Sequence, residues 1–162
     1  MNSRISIRLY LPSDLESTIE IFLRAICEVS SRDYSPGQIE AWAKVEDRDK
    51  WGARRLSRPT WIAEIDGKAA GFADLTADGC LDMMFVHPEF QRRGVASRLL
   101  ARAEDEAGKL GIDEIHTEAS LTARPFFEAR GFQVAARQAV EKRGQVLGNF
   151  LMKKHLGGQS GD

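Results

Sequence analysis

LDMMFVHPEFQRRGVASRLL, residues 81–100, passes from an apolar strand ending at Val86, through a turn at His87-Pro88, into a helix that opens at Gly94. In Gln91-Arg92-Arg93-Gly94-Val95-Ala96 only Gly94 and Ala96 lack a bulky side chain, so backbone N–H groups there can come close to an anion. The first turn of the helix, which includes Ser97, leaves its own N–H groups unpaired and adds roughly half a positive charge. A phosphate or pyrophosphate is favoured at such a turn. Arg92 and Arg93 add mobile positive charge at its rim.

Upstream, Ile5, Ile7 and Leu9 alternate with polar residues over Arg4–Tyr10, the period of a half-buried strand. Ser13-Asp14-Leu15-Glu16 reads as a capping box, and Leu15, Ile19, Phe22, Leu23 and Ile26 continue at helical spacing to about Val29. A second helix opens at Ser35-Pro36-Gly37-Gln38, with Ser35 as cap and an apolar face of Ile39, Trp42 and Ala43. Residues 46–59 are charged and irregular, a connection with room for a short helix. Asp66-Gly67 between Thr60–Ile65 and Lys68–Leu75 predicts a hairpin, and Asp78-Gly79 turns the chain into Cys80–Val86.

Downstream, Leu99, Leu100, Ala103, Ala107 and Leu110 share one helical face, which Gly111 ends. Ile112–Glu118 is a strand, Thr122–Arg130 a short helix, and Phe132–Val140 with Gln145–Lys154 a closing hairpin through Lys142-Arg143-Gly144. Val146, Phe150 and Met152 on that hairpin serve either the core or a subunit contact that would make a homodimer. Residues 157–162 read as a flexible tail.

At 162 residues and 43% hydrophobic content the chain can bury one core, over residues 1–156. A net charge of -1 gives no basic footprint for nucleic acid. Cys27 and Cys80 have no paired spacing, which argues against a disulfide framework or a zinc site and for a reducing compartment. The start lacks an apolar leader and no run reaches membrane-spanning length, so no membrane segment is expected and the cytoplasm is the default location.

The phosphate turn resembles the acyl-coenzyme A signature Q/R-x-x-G-x-G/A of the GNAT superfamily of N-acetyltransferases, here with the "VHP" strand end before it. Strand and helix order around the turn is similar to that superfamily too. DYSPGQIEAWA from Asp33 and EASLTARPFFEARGF from Glu118 resemble uncharacterised single-domain bacterial acetyltransferases. The resemblance implies an α/β fold with a mixed, mostly antiparallel sheet flanked by helices, its fourth and fifth strands splayed. It implies acetyl-coenzyme A as cofactor and a small-molecule or peptide amine as acceptor. On this sequence the pantetheine arm would pair with Met84, Phe85 and Val86, an amide near Phe85 or Val86 polarising the thioester. The pyrophosphate would sit on Gln91, Arg92, Arg93, Gly94, Val95, Ala96 and Ser97, and Ser120, Ala123, Phe126 and Phe127 would line the other side.

The superfamily works by direct attack of a neutral amine. Asp82 and Glu118 are candidate bases, each also readable as a solvated or cap-bonding carboxylate. Asp82 precedes Val86 by an even number of residues, so the two share a strand face if no bulge intervenes. His87 reads as a surface turn residue and His116 as packed or titrating. Many relatives protonate the leaving thiolate with a tyrosine where this chain has Phe127. Tyr34, between the first two helices, is the phenol that borders the acceptor side, and Trp42 is either acceptor wall or core. Two functions stand: an acetyltransferase, or an acyl-coenzyme A binding module with regulatory or sensing use.

Overall fold

The computed structural model describes residues 4–157, and in it the alternating apolar residues of the first segment become β1 (Ile5–Leu9). It pairs antiparallel with β2 (Thr60–Ile65), which pairs with β3 (Lys68–Leu75), which pairs with β4 (Leu81–Val86), so one sheet follows chain order. Asp66 and Gly67, both left-handed at φ 53° and 77°, close the β2–β3 hairpin as the Asp-Gly pair predicts. A second antiparallel sheet holds β5 (Glu114–Ser120), β6 (Gln133–Lys142) and β7 (Gln145–His155) in the order β5-β7-β6. The splay appears here. The parallel bridge Cys80–His116, just before β4, and Thr117 Oγ1 donating to Leu81 O at 2.8 Å join β4 to β5 at one end, and beyond them the strands part into separate sheets.

Five helices cover the sheets: α1 (Leu15–Glu28), α2 (Pro36–Trp42), α3 (Arg48–Leu56), α4 (Val95–Lys109) and α5 (Arg124–Ala129). The expected capping box opens α2, where Ser35 Oγ accepts from Gln38 N–H at 3.2 Å and Gln38 Oε1 from Ser35 N–H at 2.8 Å. The box expected at Ser13 does not form. Asp14 turns back to accept Leu11 N–H at 2.8 Å and both arms of the Arg8 fork at 2.8 Å, so α1 starts at Leu15 after a short 3-10 turn. Charge-assisted bidentate bonds outweigh a neutral cap. The 46–59 connection carries all of α3, capped by Asp47, whose Oδ1 accepts Lys50 N–H at 3.0 Å.

Two apolar cores flank the first sheet. Trp61, Ala63, Leu75, Leu99, Ala103, Phe127, Phe132, Phe150 and Met152 fill the α4 side, which settles Phe150 and Met152 as core while Val146 stays 58% exposed. Ile19, Phe22, Ile26, Trp51, Ile62 and Phe72 fill the side under α1 to α3. A Cβ at Gly71 would stand 2.8 Å from Val95 Cγ1 and 2.9 Å from Phe85 O, so only glycine lets the start of α4 press onto β3 and β4. Of the expected tail, residues 158–162 lie outside the described residues. No described helix is long and apolar enough to cross a membrane.

Candidate active site

The register of β4 shapes the site. Ala73 faces Met84 but Leu75 faces Leu81, so β4 carries one more residue than β3 and bulges at Asp82-Met83. The expectation that Asp82 and Val86 share a face is therefore corrected. Leu81, Met84 and Val86 point into the α4-side core, while Met83 and Phe85 pack on the other core and Asp82 lines the pocket beside them. Asp74, fully buried, pins the bulge by accepting Met83 N–H at 2.8 Å. Its partner is Arg55 of α3, 3.3 Å away and equally buried, whose guanidinium stacks 4.7 Å over Trp51. Burial pushes the Asp74 carboxyl up, opposed chiefly by Arg55. Arg58 joins the two carboxylates, 3.7 Å from Asp74 and 2.9 Å from Asp82.

Above the bulge, β4 has a free edge. His87 N–H bonds Ala70 O at 2.8 Å, so by antiparallel alternation Phe85 spends its backbone groups on Phe72. Met84 and Val86 turn theirs toward the gap. Of the amides expected near a thioester, those of Met84 and Val86 therefore face the gap, and that of Phe85 faces β3. Gln91 Nε2 donates to Val86 O at 3.0 Å, which closes that end of the edge. A cleft of about 190 Å³ follows the edge between Ala25 of α1 and Val29 just past its end on one side and Ser120, Ala123 and Phe126 on the other, with Gln91 and Ala96 at its head.

The turn at that head is the one whose backbone the sequence reading expects to meet an anion. Arg92 (φ 63°) and Gly94 (φ 84°) both adopt the left-handed region, and Gly94 caps α4 without a side chain. A Cβ on Gly94 would meet nothing nearer than Ile5 Cδ1 at 3.8 Å, so space lies open in front of the amides. Val95 is buried and contributes backbone alone. Ser97 is held by Arg130, whose Nε and Nη2 reach Ser97 Oγ at 3.1 and 2.5 Å while its guanidinium lies 4.1 Å over Phe126. Arg130 is a cation at this helix start that sequence reading missed, because the contact spans two distant segments. Phe127, expected on the channel wall, lies in the core instead at 3% exposure, packed on Phe126 and Phe132 at 5.2 and 5.0 Å.

Past Phe85 and Ser120 the cleft meets a second pocket of about 380 Å³, and those two residues line both. Phe22, Tyr34, Trp42 and Phe85 give it an aromatic wall, with Phe22–Phe85 and Tyr34–Trp42 edge to face at 5.1 and 5.4 Å. Asp82 and Glu118 both line it, so the two candidate carboxylates are brought to one place. Asp82 is engaged with Arg58, whereas Glu118 has no ion-pair partner among the described residues. Tyr34 lines the pocket but its hydroxyl is spoken for: it donates to Gly148 O at 2.6 Å and accepts Leu121 N–H at 2.9 Å. Burial pushes that phenol up. Burial, helped by nearby carboxylates, also pushes the Cys80 thiol up to about 12, so it is no nucleophile at neutral pH. His87 is not a surface residue. It is buried, with Nδ1 accepting Glu89 N–H at 3.1 Å and Nε2 beside Arg24 at 3.1 Å, and it lines neither pocket. His116 contributes its place at the β4–β5 bridge.

A family profile described as an acetyltransferase (GNAT) domain matches residues 30–155. An Escherichia coli (strain K12) protein named as the uncharacterised N-acetyltransferase YafP is 40% identical over 151 residues, 93% of this chain and 96% of that protein. A GCN5-related N-acetyltransferase from Rhodopseudomonas palustris has a similar structure, with TM-score 0.93 at 36% identity over 96% of this chain and 98% of that one. The paia N-acetyltransferase from Thermoplasma acidophilum, solved in complex with coenzyme A, shares the fold with TM-score 0.77 at 22% identity, over 94% and 99% of the two chains.

Proposed function

The chain belongs to the GNAT family of acetyltransferases, and on that premise we propose that one domain, residues 1–156, holds acetyl-coenzyme A in the β4–β5 cleft and passes its acetyl group to an amine in the aromatic pocket. The residues present suit that cofactor: a strand edge with unspent amides, and a left-handed turn with Arg130 beside a helix start. When bound, it supplies an activated thioester and a thiolate leaving group. The observation that carries the reading is that cleft and pocket share Phe85 and Ser120, so donor and acceptor meet there without a second step.

The chain's own groups then divide the work. The Val86 or Met84 amide stabilises the charge that develops on the carbonyl oxygen. A lysine-like amine must shed a proton at a cost of roughly 4 to 5 kcal/mol at neutral pH. Glu118 takes that proton, since Asp82 is neutralised by Arg58. Among the described residues no side chain at the cleft takes the place of that tyrosine, and a thiol of pKa about 8.5 departs as thiolate. Tyr34 holds the pocket together. A bacterial, cytoplasmic enzyme is the setting that the bacterial relatives and the two free thiols support.

The test incubates purified protein with acetyl-coenzyme A and a panel of amines, following thiol release after the exposed Cys27 has been titrated. Amine-dependent release is the expected result. Tight binding of acetyl-coenzyme A without release for any amine would instead favour the regulatory or sensing module.

A further inference from the structure

The acceptor pocket has a fixed roof. The β6–β7 hairpin is tied to the helices below it at several points: Tyr34 Oη donates to Gly148 O at 2.6 Å, and Gln38 Nε2 donates to Val146 O at 2.8 Å. Arg143 of the hairpin tip donates from Nη1 to Ala41 O at 2.5 Å and from Nε to Glu46 Oε2 at 2.9 Å. These bonds hold Val140, Leu147 and Asn149 opposite Phe22, Trp42 and Phe85 across about 380 Å³. A volume of that order, walled on both sides, admits a small molecule. A lysine presented on a folded protein surface would need the hairpin to lift.

Charge narrows the class. Asp82 is satisfied by Arg58 at 2.9 Å. That leaves Glu118 facing Arg54 of α3 and Lys142 of β6, which line the same pocket and have no ion-pair partner among the described residues. One carboxylate against two cations, around an aromatic wall, complements a ligand that brings an acid of its own. We propose that the acceptor is a small amine with an apolar or aromatic body that also carries an acidic group. Arg54 and Lys142 receive the acid, the aromatic wall receives the body, and the amine stands at Phe85 and Ser120 beside Glu118. This rests on the acetyltransferase reading.

The experiment compares matched pairs that differ in the acid alone: phenylalanine with phenethylamine, and 4-(aminomethyl)benzoate with 4-methylbenzylamine, with a lysine-containing peptide alongside. Thiol release from acetyl-coenzyme A gives kcat/KM. The acid of at least one pair is expected to exceed its partner and the peptide at least tenfold, and Arg54→Ala or Lys142→Ala is expected to shrink that preference at least fivefold. Equal or better use of the acid-free amines or of the peptide would overturn the proposal, as would a preference that survives both substitutions. If no amine is turned over, the acetyltransferase reading fails by itself. Calorimetry with N-acetyl-phenylalanine and N-acetyl-phenethylamine then decides the pocket: tenfold tighter binding of the acid supports it, and equal binding overturns it.

Discussion

Removing the charge of Asp74 would test whether the β4 bulge is held by the buried ion pair. Asp74 and Arg55 are 3.3 Å apart with both side chains fully buried. At an effective dielectric of about 20 their attraction is about 5 kcal/mol, which opposes the desolvation of both groups without cancelling it. Asp74→Ala strands the guanidinium and leaves Met83 N–H without its acceptor, so a loss of about 3 to 5 kcal/mol is expected, or roughly 6 to 20 °C in Tm. Arg55→Met is milder, because Arg58 remains 3.7 Å from the carboxylate. The double substitution Arg55→Met with Asp74→Asn removes both charges yet keeps an acceptor for Met83 N–H, and it is expected to recover to within about 1 to 2 kcal/mol of the parent. Urea unfolding of the parent, Asp74→Asn, Arg55→Met and their double gives the cycle, with Asp74→Ala measured alongside. Losses that simply add would refute the reasoning, since they would mean that Asp74 and Arg55 do not interact.

Gly94→Glu is expected to weaken acetyl-coenzyme A binding at least tenfold by calorimetry, because it fills the open space before the amides and imposes a side chain at φ 84°, a conformation that costs about 1 to 2 kcal/mol for non-glycine residues. Unchanged affinity in a folded variant would remove the phosphate turn. Glu118→Gln is expected to cut turnover of a high-pKa amine by roughly 10² to 10⁴ with donor affinity kept, and Asp82→Asn to cost far less, both read by steady-state thiol release. Burial would push Asp14 up, but the Arg8 fork and Leu11 N–H outweigh it and hold the carboxyl below its usual range. A depressed carboxylate stabilises the fold above its unfolded value of about 3.9, and that contribution is lost as pH falls through the folded value. Arg8→Ala should therefore be less stable than the parent in urea at pH 7, with the gap narrowing as the pH is lowered below 4.

The elements that sequence reading finds are those whose signal is local. Strand alternation, the Asp-Gly hairpin, the Ser35–Gln38 box and the glycine at the start of α4 each depend on neighbours in the chain, and each is where it was expected. The α3 helix is hidden because its buried face consists of Trp51 and Arg55, and an arginine in that position defeats a search for apolar periodicity. The bulge is invisible because it is a property of two strands: Asp82 changes face only once Leu75 is paired with Leu81. The same holds for Arg130 at Ser97 and for Tyr34 between Gly148 and Leu121, contacts that only the folded chain creates. Phe127 misleads for another reason. The motif resemblance implies a channel wall there, whereas the side chain packs fully into the core with Phe132.

A structure of the protein with coenzyme A bound tests the central claim most directly. The expected result has the pyrophosphate on the amides of Arg93 to Ser97 with Arg130 beside it, the arm along Met84 and Val86, and the sulfur between Phe85 and Ser120. A sulfur that lies away from those two residues, or a cofactor bound outside the β4–β5 cleft, would contradict it.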